Sequence, residues 1–160
     1  MFDFAPDPAA SRGENYAALA SAVEAITTGE RDGVANMSNI AALLGAFMPN
    51  CNWVGFYRVV AGELVLGPFA GLPACIRIPF GIGVCGTAAA TGETQLVEDV
   101  HAFPGHIACD ARSRSEIVVP VKRDGAVIAV IDCDSPDLAR FDQRDRAGLE
   151  RLATIIADRI

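Results

Sequence analysis

The chain has 160 residues, of which 51% are hydrophobic, and a formal net charge of -7 from 20 acidic and 13 basic residues. The acidic balance and the lack of a basic run exclude nucleic acid as an expected partner, because binding to phosphates needs lysines and arginines. No apolar run approaches the roughly 18 residues of a membrane span, and the acidic N-terminus does not resemble a secretion signal. We therefore expect a cytoplasmic, soluble single domain, residues 1–160, whose first 13 residues form a partly flexible tail.

The first predicted elements are two helices and a hairpin. Residues 15–27 and 34–48 carry apolar side chains at three- and four-residue spacing, with the polar stretch TGERDG between them. The stretches NWVGFYRVV and ELVLGPF alternate and are rich in β-branched and aromatic residues, which predicts a hairpin with its turn at Ala61–Gly62. A third short strand is expected in CIRIPF.

The second half of the chain adds a short helix, a strand, a hairpin and a last helix. VCGTAAATGE is predicted to be a helix that ends at Gly92, and TQLVE a strand, followed by a loop over residues 101–110. EIVVPVK and AVIAVIDCD predict a second hairpin, after which Asp142 begins a helix whose apolar face extends from Leu149 to Ile160. This order predicts an α+β fold in which helices cover a mainly antiparallel sheet.

The stretch GIGVCG, residues 81–86, matches the glycine pattern of dinucleotide-binding loops. Hairpins on both sides argue against that fold, which needs repeated strand–helix–strand units. The glycines also allow a tight turn into a helix whose first turn holds Cys85, where the helix dipole would lower the pKa of the thiol. A small residue chosen for close packing is the other interpretation, and the sequence leaves both open.

The five cysteines are an odd number in a chain without signs of an oxidising compartment, so we expect free thiols and only transient disulfides. Cys75, Cys85 and Cys109 lie at boundaries between loops and regular elements, and none is inside a long apolar run. There is no C-x-x-C pair, so a structural metal site is not expected. Cys51 and Cys133 are predicted to pack as small hydrophobic residues.

Three carboxylates are expected at one end of the second hairpin. Asp132 and Asp134 are two residues apart in a strand and share a face, whereas Cys133 points to the other face. Glu116 opens the neighbouring strand and can lie close to both. Such a cluster is costly unless it meets a cation or shares protons, which suits a site for an ammonium group. For Asp134, capping of the Ser135–Pro136 turn is the alternative.

Five motifs, taken together and in order, carry a resemblance to a known family: PAC, GVCGTAA, DVHAFPGHIACD, SEIVVP and DCDS. With them the chain resembles the free methionine-R-sulfoxide reductases, a branch of the GAF-domain family. The resemblance covers most of the chain and implies a six-stranded antiparallel sheet between helices. It also implies reduction of free L-methionine-R-sulfoxide, thioredoxin as the external reductant, no bound cofactor, and a homodimer.

The resemblance implies catalytic roles for three cysteines. Cys109 would attack the sulfoxide sulfur and become a sulfenic acid, and Cys75 would then form a disulfide with it that thioredoxin opens. Cys85 would be a further thiol of the active site. The permutation in which Cys85 attacks and Cys109 resolves stays open, as does the choice between Cys75 and Cys85 as the main resolving thiol.

The substrate contacts are also implied by the resemblance. Glu116, Asp132 and Asp134 would contact the substrate, and a protonated Glu116 or Asp132 would donate to the sulfoxide oxygen. Trp53 and Tyr57, four residues apart in a strand and so on one face, would wall the methyl-sulfur end of the substrate.

Three residues depart from the family's usual pattern. Ile82 and Leu72 stand where a polar or basic residue is more usual, and Cys133 replaces an aliphatic one. An acid cluster also raises the pKa of a nearby thiol, so Arg112, Arg114 or the substrate ammonium has to compensate for it.

A GAF domain that binds a regulatory ligand, or senses redox state without turnover, is the alternative function. Helices at both ends, with no linked output domain, favour a free-standing enzyme.

Overall fold

The computed structural model describes residues 5–106 and 109–160. The helices are α1 (Arg12–Thr27), α2 (Gly33–Phe47), α3 (Gly83–Thr91) and α4 (Gln143–Ile156). The strands are β1 (Trp53–Val60), β2 (Glu63–Gly71), β3 (Arg77–Pro79), β4 (Gln95–Val97), β5 (Ser115–Arg123) and β6 (Ala126–Ser135). Within the described ranges, none of the helices has the length and apolarity that crossing a membrane requires.

The six strands form one antiparallel sheet in the order β3-β2-β1-β6-β5-β4. Two hairpins, β1–β2 and β5–β6, meet through the pairing of β1 with β6. Each hairpin closes through two residues of positive φ, Ala61 and Gly62 in the first and Asp124 and Gly125 in the second. Such pairs match the twist of antiparallel strands. The predicted α+β fold with a six-stranded, mainly antiparallel sheet is confirmed.

Local signals set where the helices begin and end. Ser11 and Glu14 form a capping box at the start of α1, and Asp142 and Asp145 form another at the start of α4. Gly92 has φ 67 and ends α3 in the left-handed conformation. Helix α1 thus begins at Arg12, inside the stretch predicted to be a tail, of which residues 1–4 lie outside the described residues.

The sheet has helices on both faces. Helices α1, α2 and α4 cover one face and form the main core with it; its fully buried side chains include Leu19, Ile40, Leu44, Ile131, Leu149 and Ile156. Helix α3 covers the other face with a smaller cluster, which includes Trp53, Tyr57, Ile78, Val84, Cys85, Val118 and Val130. The alternation of β6 therefore buries Cys133 in the main core and turns Asp132 and Asp134 toward α3.

Three local predictions were wrong in detail. The predicted strand CIRIPF is regular only at Arg77–Pro79, since the two residues before it belong to a loop. The predicted loop 101–110 contains the end of a 3-10 turn, Val100–Ala102, and its residues 107 and 108 lie outside the described residues. Ile160 was assigned to the last helix, but α4 ends at Ile156.

Candidate active site

One pocket on the α3 face of the sheet collects seven of the eight predicted site residues: Trp53, Tyr57, Cys85, Cys109, Glu116, Asp132 and Asp134. The eighth, Cys75, is joined to Cys109 by a disulfide, with Cα atoms 5.6 Å apart. Residues that are distant in the chain meet here because side chains of β1, β5 and β6 point to one face of the sheet. The N-terminal turn of α3 covers the same face. The structure thus brings every predicted site residue together.

The acid cluster follows from strand register. Glu116 on β5 lies directly opposite Asp134 on β6, and Asp132 is the diagonal neighbour, opposite Val118. Glu116 is 6% exposed and Asp132 5% exposed, whereas Asp134 is half-buried. Among the described residues the Oδ1 atom of Asp132 is buried and has no hydrogen-bond partner. A buried acceptor without a partner is costly, so this oxygen is placed to receive a donor from a ligand.

Burial and mutual repulsion change how the three acids titrate. Burial, with the charges of Asp132 and Asp134, raises the pKa of Glu116 well above its usual range. Burial raises the pKa of Asp132 to about 7. Burial and the charge of Asp132 raise the pKa of Asp134 in the same direction. The cluster therefore holds protons near neutral pH in the absence of a cation, as the sequence predicts for acids that share protons.

The surroundings of Cys85 decide between the two interpretations that the sequence leaves open for it. It is the third residue of α3 and 4% exposed, and its Sγ donates to Oε1 of Glu116 at 3.9 Å. Burial, followed by the charges of Asp132 and Glu116, raises the pKa of Cys85 well above its usual value. The close-packing interpretation therefore holds over the lowering by the helix dipole, because desolvation and two nearby acids outweigh the dipole. Cys85 is a neutral thiol beside Glu116.

Two aromatic rings form one wall of the pocket. Trp53 and Tyr57 stack at 5.9 Å between ring centroids, and Trp53 also stacks on Phe69 at 5.2 Å. Nε1 of Trp53 donates to the carbonyl oxygen of Leu72 at 3.2 Å, and the hydroxyl of Tyr57 donates to that of Cys75 at 3.0 Å. The rings and the loop that carries Cys75 therefore hold each other in place.

Sequence reasoning missed the residues that fix the loop after Cys109. Nδ2 of Asn52 donates to Oδ2 of Asp110 and to Oγ of Ser113, both at 3.0 Å. Arg112 donates to the same carboxylate at 2.7 Å and holds the pKa of Asp110 well below its usual range. The motif HIACD places Asp110 directly after Cys109, but no sequence signal joins it to Asn52, 58 residues earlier. The Arg112 charge is thus already paired with a carboxylate.

Cys51 and Cys133 are free thiols outside the pocket. Cys133 is fully buried in the main core, and Cys51 packs partly buried against it. Burial raises the pKa of Cys51 to about 12 and that of Cys133 well above its usual value. The prediction that both are packed small residues is confirmed. Unlike these two free thiols, Cys75 and Cys109 are joined in a disulfide, so the structure represents the oxidised form of this cysteine pair.

Among the described residues, a thiol and two carboxylates could also hold a metal ion, since the ligand atoms of Cys85, Glu116 and Asp132 lie within 4.8 Å of one another. Metal ligands must lose their protons, whereas the pKa of each of these groups is raised. A metal ion would therefore have to displace the protons of these groups in order to bind here.

The fold and the pocket define a GAF domain with a disulfide beside buried carboxyl groups, and the comparisons agree. Residues 38–160 match the GAF domain family. The chain is 48% identical over 139 residues to the free methionine-R-sulfoxide reductase of Escherichia coli, covering 87% of this chain and 84% of the relative. It is 48% identical over 141 residues to that of Saccharomyces cerevisiae, covering 83% and 78%.

A solved structure shows the same likeness in three dimensions. The free methionine-R-sulfoxide reductase from Neisseria meningitidis, in complex with its substrate, matches with a TM-score of 0.91 and 47% identity, covering 99% of this chain and 95% of that one. The chain therefore belongs to the GAF-domain family and, within it, to the free methionine-R-sulfoxide reductases, a family of oxidoreductases.

Proposed function

We propose that this protein reduces free methionine-R-sulfoxide to methionine. The observation that carries the proposal is one pocket in which Cys109, disulfide-bonded to Cys75, faces three carboxyl groups with raised pKa values. A sulfoxide needs a thiolate at its sulfur and a neutral acid at its oxygen. Relatives at 48% identity named for this activity, and a similar structure with its substrate bound, support the assignment.

In the first step, the thiolate of Cys109 attacks the sulfoxide sulfur while Glu116 or Asp132 donates a proton to the oxygen. Burial raises the pKa of Glu116 well above its usual range and that of Asp132 to about 7, so the pair holds a proton that it can donate near neutral pH. The protonated oxygen then passes as hydroxyl from the substrate sulfur to Sγ of Cys109, and both the sulfur–oxygen bond of the substrate and its new bond to Cys109 break. Methionine leaves, and Cys109 becomes a sulfenic acid. The sulfoxide gains two electrons and the thiol loses them.

In the second step, the thiol of Cys75 attacks the sulfenic acid and releases water. The Cα atoms of the two cysteines are 5.6 Å apart, a separation that a disulfide spans. Its product is the disulfide seen in the structure, which a thiol reductant such as thioredoxin would open by exchange. In this scheme Cys75 is the resolving thiol.

Cys85 acts through Glu116 in this scheme. Its raised pKa makes it a poor nucleophile, and the pocket thiol joined to Cys75 is Cys109, which supports Cys109 as the attacking group. Its contact of 3.9 Å to Oε1 of Glu116 supports a role in positioning that carboxyl group.

Recognition of the free amino acid would come from the acid cluster and the aromatic wall. The substrate ammonium would meet Asp134 near the mouth of the pocket, while Trp53 and Tyr57 would contact the methyl-sulfur end. An ammonium hydrogen bond favours the ionised form of the carboxylate that accepts it. Binding of the substrate would therefore lower the pKa of Asp134. Thioredoxin, the homodimer and the cytoplasmic location are part of this proposal.

The proposal is tested by two serine variants in single turnover, after the protein is reduced and the reductant removed. Cys109→Ser should form no methionine, because a hydroxyl ionises far less than a thiol and cannot pass through a sulfenic acid. Cys75→Ser should release about one methionine per chain and then stop, leaving a sulfenic acid that a trapping reagent detects by mass spectrometry.

Cys51→Ser is the matched control, since Cys51 lies outside the pocket, and it should keep full turnover. Activity of Cys109→Ser within about tenfold of the parent would refute Cys109 as the nucleophile. Loss of the first methionine in Cys75→Ser would move Cys75 into the attacking step.

A further inference from the structure

Exposed apolar side chains are concentrated beside the disulfide. Of the seven large apolar side chains exposed among the described residues, four lie between residues 72 and 82: Leu72, Ile76, Phe80 and Ile82. Ile76, next to Cys75 in the chain, is 69% exposed, the highest value of the seven. The other three, Val34, Val60 and Leu138, come from separate parts of the chain. We call residues 72–82 the apolar strip.

The apolar strip lies at an edge of the sheet and carries almost no charge. Its regular part is β3, the outermost strand on the side of β2. Arg77 is its one charged residue, and it is ion-paired with Glu63. In a chain of net charge -7, a neutral strip of this kind can be covered by a partner without burying an unpaired charge.

The two sulfurs of the disulfide differ in their surroundings. Cys109 lines the pocket together with Glu116, Asp132 and Asp134, whereas Cys75 is part of the apolar strip and does not line the pocket. Sγ of Cys109 lies in a concave pocket, which a protein surface enters less easily than it covers an exposed strip at an edge of the sheet. Attack on Cys75 starts from the strip and returns Cys109 to the pocket as the leaving group.

We propose that the apolar strip is the docking surface for a protein dithiol, which attacks Sγ of Cys75 and thereby regenerates Cys109. This inference rests on the proposed function, because it assumes that the Cys75–Cys109 disulfide is formed during turnover. The partner is a protein whose reactive cysteine lies within an uncharged, apolar surface, since that surface is complementary to Leu72 and Ile76. A small dithiol has no such surface and gains nothing from the strip.

The exchange balances in atoms and electrons. The partner's thiolate bonds to Sγ of Cys75, the bond to Cys109 breaks, and Cys109 leaves as a thiolate that takes up a proton. The partner's second thiol then attacks its own mixed disulfide, which releases Cys75 as a thiol. The partner loses two electrons and two protons and becomes a disulfide, and the chain regains both thiols.

The test compares two reductants on the full chain. In the double variant Leu72→Gln/Ile76→Gln, turnover of methionine sulfoxide is driven either by thioredoxin, with its reductase and NADPH, or by dithiothreitol. The KM for thioredoxin should rise about tenfold or more, since the apolar contact area is lost, while dithiothreitol-driven turnover stays within about twofold. The matched control is Val60→Gln/Leu138→Gln, two exposed apolar side chains outside the strip, which should leave both rates unchanged.

A second measurement identifies the attacked sulfur. Thioredoxin whose second active-site cysteine is replaced by serine should trap a mixed disulfide with the oxidised chain, and peptide mapping should find it on Cys75. A mixed disulfide on Cys109 would overturn the proposal, as would an unchanged KM for thioredoxin in the strip variant. An equal loss with both reductants would also contradict it, because dithiothreitol does not need a docking surface.

The alternative to a protein dithiol as the occupant of the strip is a second copy of the chain. Light scattering on the strip variant should give the same mass as the parent, and a change of mass would overturn the proposal by making the strip a subunit interface. Failure of the proposed function looks different: the parent itself would then not turn over methionine sulfoxide with dithiothreitol.

Discussion

The three carboxyl groups of the pocket have similar chemistry but different places in the sheet. Glu116 and Asp132 are almost fully buried, and Glu116 also accepts from Cys85. Asp134 is half-buried and lies across from Trp53 on β1 and Glu116 on β5. A buried acid with a raised pKa is suited to give up a proton in the reaction, whereas a more accessible one is suited to hold the charged end of the substrate.

Neutral amides separate these two roles. Glu116→Gln and Asp132→Asn keep shape but not the transferable proton, so one of them should lower the maximal single-turnover rate about a hundredfold or more. Asp134→Asn should mainly raise the methionine sulfoxide concentration at half-maximal rate, with the maximum within about threefold of the parent. The measurement is single-turnover rate against substrate concentration. If the maximum survives in both Glu116→Gln and Asp132→Asn, the proton comes from another group.

Selectivity for the free amino acid should depend on the same carboxylates. N-acetylation of methionine sulfoxide removes the ammonium and leaves Asp134, the carboxylate proposed to accept from it, without this donor. We expect kcat/KM for the N-acetyl compound to fall about a thousandfold or more, because sites built to bind a polar group reject an analogue that lacks it. Equal kcat/KM values for free and N-acetylated methionine sulfoxide would show that the acids do not bind the ammonium.

At the scale of elements, the helices behind the sheet are held together by a close approach of α1 to α4. Tyr16 of α1 packs against Gly148 of α4, and its hydroxyl donates to Asp145 at 3.0 Å. Arg12 donates to the same carboxylate at 2.8 Å. A Cβ at position 148 would overlap the ring of Tyr16, so only glycine allows this spacing without movement.

Two glycine substitutions test that packing. Gly148→Ala should lower the free energy of unfolding by about 1 to 3 kcal/mol, because the ring of Tyr16 must shift and its hydrogen bond weakens. Gly13→Ala is the matched control in α1, where a Cβ meets nothing within 4 Å. It should raise the free energy of unfolding by up to about 1 kcal/mol, because alanine favours the helix. Urea denaturation measures both, and equal stability of the two variants would contradict the close-packing argument.

At the scale of the whole molecule, the buried acids of the pocket lower the free energy of unfolding by an amount that depends on pH. The pKa of Asp132 is raised from 3.8 to about 7 on folding, and those of Glu116 and Asp134 rise too. A carboxyl group whose pKa is raised in the folded state favours folding below its unfolded pKa and loses that contribution as pH rises through the folded value. The pKa of Asp110 is lowered on folding from 3.8, so its contribution to the free energy of unfolding is lost only as the pH falls below about 3.8.

The ligand-free protein should therefore become less stable between about pH 4 and pH 8. The loss attributable to Asp132 is about 2 to 4 kcal/mol, from its shift to about 7. Asp132→Asn should flatten this dependence, and added methionine should reduce it in the parent, because its ammonium favours the ionised acids. Thermal unfolding at several pH values checks this. A stability that rises over the same range in the parent would be incompatible with buried protonated acids.

Much of the fold could be predicted from local patterns. Helical periodicity located α1, α2 and α4, alternating stretches joined by short turns located both hairpins, and alternation in β6 separated Asp132 and Asp134 from Cys133. These features are encoded within a few residues, so they can be read along the chain. The resemblance to a family then added the roles of the site residues, which spacing alone does not supply.

The sequence by itself determined the order of the elements and the shared face of the acids, and its resemblance to a family pointed to residues that meet in the pocket. Only the tertiary structure decided that Cys85 is a neutral thiol, because its pKa depends on burial and on Glu116 and Asp132 from other strands. It alone joined Asn52 to Asp110 and placed the apolar strip around Cys75. Desolvation and electrostatic fields depend on distance in space, and distance in space is set by packing between segments that are far apart in the chain.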